Sequence, residues 1–138
     1  MFQRRRLLHE AAAQGLDKIG LMRRKAVLRR GFDMEHYEYG RCFDNIVLVA
    51  ARGPLRLRLV RDRGDSFCEA RSTLHPGAEH WVDYNPYAPF PKMKGMDFDV
   101  LLAEIFGESN ESRLSALVAL AEDASRFSHL NHYYDLHS

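Results

Sequence analysis

The chain has 138 residues, 46% of them hydrophobic and 28% charged, with a formal net charge of +1. That composition can fill a core, which argues against intrinsic disorder, and the length suits one domain, 1–138. No stretch has the apolar length needed to cross a bilayer, and the start MFQRRRLLHEAAAQG lacks the apolar centre of a secretory signal. Two cysteines, Cys42 and Cys68, are too few for a disulfide scaffold, so a cytoplasmic protein with reduced thiols is the expectation.

In chain order, residues 3–30 read as a helical segment. Leu8, Ala12, Gly15, Ile19, Met22 and Ala26 recur at spacings of four and three, one apolar stripe. Gly15 and Gly20 weaken it, so one bent helix or two short ones are expected. Arg29 and Arg30 suit the negative end of the helix dipole, and Gly31 can take the left-handed conformation that closes a helix. This segment is basic: residues 1–30 hold nine Lys/Arg against Glu10 and Asp17, whereas residues 31–138 hold eleven against seventeen acids. Such a helix could meet a polyanion, dock on an acidic partner, or simply be a solvated face.

Residues 31–84 read as an antiparallel sheet. A short edge strand fits Glu35–Tyr39. NIVLVAAR, 45–52, is apolar on both faces and reads as a central strand. In LRLRLVRD, 55–62, leucines and arginines alternate, so Leu55, Leu57 and Leu59 face the core while Arg56 and Arg58 face away. RDRGD, 61–65, supplies turn chemistry through Asp62 and Gly64, which explains its Arg-Gly-Asp triplet without any adhesive role. SFCEARS, 66–72, returns as the next strand, and WVDY, 81–84, as a short further one.

Residues 85–95, NPYAPFPKMKG, contain three prolines and read as an extended connector. Residues 96–138 then hold two helices and a polar aromatic tail. Asp97 caps an apolar helix ended by Gly107. Asn110 or Ser109 caps a second, about 111–127, with a stripe of Leu114, Leu117, Val118 and Ala121. The order is that of an α+β fold: an N-terminal helix, a meander sheet of three to four strands, and two C-terminal helices packed on one face.

Chemical motifs are sparse. His75 and His80, and His129, His132 and His137 with Asp135, lack the paired-ligand spacing of a zinc site, so no metal is expected. Cys68 lies mid-strand, where a structural thiol fits better than a nucleophile. Neither a serine elbow nor a phosphate-cradling glycine loop occurs, and no catalytic residue or cofactor is expected. Nucleic-acid binding is the alternative reading. The Arg/Lys of residues 1–30 would contact phosphates, and Arg56 and Arg58 with Tyr37 and Tyr39 would form a stacking platform on the sheet.

The segment RCFDNIVLVAARGPLRLRLVRDRGDSFCEA, followed by WVDY, resembles small bacterial immunity proteins of polymorphic toxin systems, including contact-dependent growth inhibition. Its most specific part is RLRLVRDRGD, joined to FDN upstream and WVD downstream. The match covers roughly residues 31–84. The Pro-rich connector and the second C-terminal helix go beyond that pattern, and the near-neutral charge departs from the acidity common among inhibitors of nucleases. The resemblance implies a non-enzymatic inhibitor that occludes the active site of a cognate toxin domain. It carries no set of contact residues. Such an inhibitor needs aromatic anchors and a charged rim. Tyr84, Tyr87 and Phe90, presented by the connector, are the expected anchors, and Asp97, Asp99, Glu104, Glu108 and Glu111 the expected charges.

Overall fold

The computed structural model describes residues 16–40, 44–74, 81–84, 96–123 and 127. Helix α1 spans Lys18–Leu28 and is followed by strands β1 (Asp33–Gly40), β2 (Asn45–Arg52), β3 (Leu55–Asp62), β4 (Asp65–Ser72) and β5 (Val82–Asp83). Helix α2 (Phe98–Ile105), a short 3₁₀ turn at Glu108–Asn110, and helix α3 (Glu111–Ala121) complete the described elements. The strands form one antiparallel meander in the order β1-β2-β3-β4-β5. The expected α+β order is therefore present, with one strand more than anticipated.

Turn chemistry fixes the register. Between β3 and β4, Arg63 (φ 52°) and Gly64 (φ 88°) both lie in the left-handed region, the requirement of a two-residue type I′ hairpin. The Arg63 N–H donates to Asn45 Oδ1, which ties this hairpin to the start of β2. Once the turns are set, period-2 alternation decides everything else about the sheet. Ile46, Leu48 and Ala50 of β2, Leu55, Leu57 and Leu59 of β3, and Cys68 and Ala70 of β4 are buried on one face. The core cluster joins them to Phe98, Leu101 and Ile105 of α2 and to Leu114, Leu117 and Ala121 of α3.

Helix α1 departs from expectation in both extent and phase. It begins at Lys18, where the Asp17 carboxylate accepts from the Gly20 N–H as an N-cap. The expected stripe upstream of residue 16 lies outside the described residues. Within the helix, Ile19 (52% exposed) and Met22 (64% exposed) face outward, while Gly20, Arg23 and Val27 face inward. Arg23 reverses the phase because it finds partners. Its Nε and Nη2 donate to the two oxygens of Asp99 on α2 at 2.9 and 3.2 Å, and its Nη1 donates to the Tyr37 hydroxyl on β1 at 2.8 Å. The guanidinium also lies 4.9 Å from the Phe98 ring centroid. Burial lowers its proton affinity, but the bonds to Asp99 and Tyr37 outweigh this and hold it above its ordinary value. The helix ends as expected at Gly31 (φ 77°), with Phe32 N–H bonded to Val27 O and Gly31 N–H to Leu28 O, the bond pair of a Schellman motif.

The C-terminal half shows similar economy. Asp97 caps α2 by accepting from the Asp99 N–H. Gly107 follows that helix with an ordinary φ of −73°. Its role is steric: a Cβ there would stand 2.5 Å from the Ala103 carbonyl oxygen. Asn110 precedes α3 without giving it a side-chain cap, because its amide is buried and donates instead to Ile105 O and the Tyr84 hydroxyl. Helix α3 ends at Ala121, short of the expected 127, and buries Leu120 beside Leu114, Leu117 and Ala121. Val118 is only partly buried against the core.

Candidate functional site

The described helices pack on one face of the sheet, and the opposite face carries the chain's second set of alternating residues. Across it, one cross-strand row reads Val47, Val60 and Phe67, and the next reads Val49, Arg58, Glu69 and Asp83. A third row holds Ala51, Arg56 and Arg71. The valines are half-buried, and Phe67 is 38% exposed.

The arginines of this face are held by neighbours. Arg56 Nε donates to Glu35 Oε2 at 2.9 Å, and its Nη1 donates to the carbonyls of Gly53 and Leu55. The β-bulge between Met34 and His36 lies at Glu35, on the strand beyond β2. Arg58 donates twice to Glu69 Oε1, at 3.0 and 2.7 Å. Arg58 and Arg71 both lie over the Trp81 ring, with guanidinium carbons 4.2 and 5.0 Å from its centroid. Arg56 and Arg71 stand directly opposite each other, a repulsive arrangement by itself. Glu35 on one side and Trp81 on the other compensate it. Three arginines and one tryptophan are thus held by neighbours on this face, with Phe67 exposed on the same surface.

The residues expected to meet a partner lie elsewhere. Tyr84 is 4% exposed and part of the core, its N–H bonded to Cys68 O and its hydroxyl accepting from Asn110. It is a packing residue, not a presented anchor. Tyr87 and Phe90 lie outside the described residues. Asp97 is exposed, caps α2, and stands 4.0 Å from Arg61. Asp99 holds Arg23, and Glu111 accepts from Arg52 and from the Ser115 hydroxyl. Glu104 and Glu108 are exposed. Most of the expected acidic rim therefore ties the fold together.

The stacking platform of the alternative reading is not assembled. Tyr37 and Tyr39 pair with Leu48 and Ile46, so they share the helix-covered face and not the face of Arg56 and Arg58. Phe67 and Trp81 are not among the expected contact residues. The signal was present: the alternation that sorted β3, carried on to β4, puts Phe67, Glu69 and Arg71 on the arginine face.

Among the described residues, no group of three or more His, Cys, Asp and Glu is arranged to hold a metal ion. His75, His80, His129, His132 and His137 lie outside them, as does Cys42. Cys68 is buried beneath the sheet. Burial pushes its thiol well above the usual value, and Glu69 and Asp83 push it further. That is the setting of a structural thiol and not of a nucleophile.

No protein-family description, curated protein or solved structure matches this chain.

Proposed function

We propose that this chain is a non-enzymatic immunity protein that binds a cognate bacterial toxin domain through the sheet face opposite the described helices and occludes that domain's active site. The observation that carries the reading is the preordered Arg58–Trp81–Arg71 stack beside exposed Phe67. Tryptophan and arginine are the side chains that most often dominate protein–protein binding energy. Held here by the Arg58–Glu69 ion pair and by stacking of both arginines on one ring, they lose little rotamer freedom on association, which favours affinity. The choice of a toxin domain as partner rests on the motif resemblance of residues 31–84 alone.

The ion pairs also weigh between this reading and nucleic-acid binding. A phosphate backbone is held by cations whose charge is available. Arg56 and Arg58 already face Glu35 and Glu69, and Arg23 is buried against Asp99. Such pairs favour a protein surface of mixed charge over a polyanion.

The test is co-expression with a toxic C-terminal domain encoded by the reading frame immediately upstream. Growth should be rescued, and the two purified chains should elute as one complex. Cell death despite correctly folded protein would overturn the proposal. No gain in nucleic-acid affinity at low salt is expected.

A further inference from the structure

Among the described residues, the sheet face opposite the helices is not electrically neutral. Arg56 and Arg58 are matched by Glu35 and Glu69, and Arg71 lies over Trp81, but further carboxylates surround the apolar row. Asp65 and Glu69 flank Phe67 at i−2 and i+2 on the same face of β4. Asp62 is the cross-strand partner of Asp65, and Asp83 that of Glu69. Glu38 closes the row beyond Val47, 3.0 Å from the His36 ring on the same strand. Neighbours at these positions lie within about 8 Å of one another. Among the described residues, Asp62, Asp65 and Asp83 take part in no ion pair. Among the described residues, the face therefore combines an apolar centre, an exposed aromatic ring and a surplus of negative charge. A second copy of the same face would bring like charges together.

We infer that the occupant of this face is a protein domain with a cationic contact surface, whose Lys or Arg side chains lie over Phe67 and between the surrounding carboxylates while apolar neighbours cover Val47 and Val60. This rests on the binding role assigned above to the same face, but it does not depend on the partner being a toxin. The chemistry is complementary on both counts. A cation over an aromatic face gains from the ring quadrupole, and nearby carboxylates add attraction that steers encounter.

The experiment uses the full chain, isotopically labelled, titrated with a short synthetic peptide alternating lysine and leucine. A glutamate–leucine peptide serves as the control. The lysine peptide should shift the amides of Val60, Phe67, Glu69 and Asp83 and the Trp81 indole. The shifts should fade at about 0.3 M salt, where the screening length is short. Phe67→Ala and Asp65→Lys, both at exposed positions and checked for folding by circular dichroism, should each weaken the response several-fold. Shifts confined to the α2–α3 carboxylates Glu104 and Glu108, equal binding of the glutamate peptide, or no shifts at all would overturn the inference. So would concentration-dependent shifts at this face without peptide, since these report a second copy. Growth rescue distinguishes the two proposals. Rescue unaffected by folded Phe67→Ala and Asp65→Lys removes this face and leaves the toxin-neutralising role. Peptide binding at this face without rescue by the wild-type chain does the reverse.

Discussion

Arg23 offers the sharpest test of how the fold is tied. Its side chain is 10% exposed, whereas that of its partner Asp99 is 54% exposed. The two ends of the pair should therefore respond differently to removal. Asp99→Ala strands a buried guanidinium that keeps only Tyr37 and the Phe98 ring. Hydrogen bonds to charged groups contribute roughly 1.5–3 kcal/mol, and the exposure of Asp99 puts the expected loss at the low end, about 1.5 kcal/mol. Arg23→Met removes the charge together with the need to solvate it, and keeps an unbranched stem over Phe98. Replacing a buried charge by an apolar side chain of similar length is often close to neutral, so a change within about 1 kcal/mol is expected. Arg23→Ala also forfeits the packing of that stem and should cost about 2–3 kcal/mol. In the double variant Arg23→Met/Asp99→Ala, the aspartate change should cost almost nothing, giving a coupling energy of about 1 kcal/mol or more. Urea melts at constant slope would supply all four values. If Asp99→Ala is silent, or if its effect simply adds to that of Arg23→Met, Arg23 is not a charge held in place by Asp99, and the reason given for the phase of α1 fails.

Three further outcomes are expected. Gly107→Ala drives a Cβ to within 2.5 Å of the Ala103 carbonyl oxygen, a backbone atom, and should destabilise by about 1–3 kcal/mol in the same melts; an unchanged midpoint would show that the chain there relaxes freely. Leu57→Ala, at a fully buried position, should cost about 2–5 kcal/mol, while Val49→Ala on the half-buried opposite face should cost clearly less; similar losses would contradict the two-sided sheet. The Cys68 thiol is raised in the folded state and ordinary in the unfolded one, so its contribution to stability is full below the unfolded pKa of about 9 and is lost as pH rises beyond it. In a Cys42→Ser background, native protein should resist thiol reagents until unfolded, and Cys68→Ala should flatten the alkaline loss of stability. Rapid labelling of native Cys68 would refute its burial.

What the sequence determined by itself is local and periodic. Strand β2 and the start of β3 fall where continuous and alternating apolar patterns place them. Gly31 and Gly64 stop a helix and turn a hairpin because few other residues tolerate positive φ there. Alternation along β3 also set Arg56 and Arg58 against the leucines, since successive side chains must leave a strand on opposite sides.

Only the tertiary structure decided what those side chains meet. The apolar stripe of α1 pointed to Ile19 and Met22 as its inner face, yet Arg23 lies inside because Asp99, seventy-six positions away in sequence, arrives with Tyr37 to hold its charge. Tyr84 resembled a presented anchor until Asn110 and the core claimed it. Glu35 and Glu69 pair with Arg56 and Arg58, and Trp81 stacks on Arg58 and Arg71, through registers that join separate strands. Periodicity says which way a side chain leaves the backbone; it takes the packed fold to bring up the partner that makes a charge buried, neutral or available for binding.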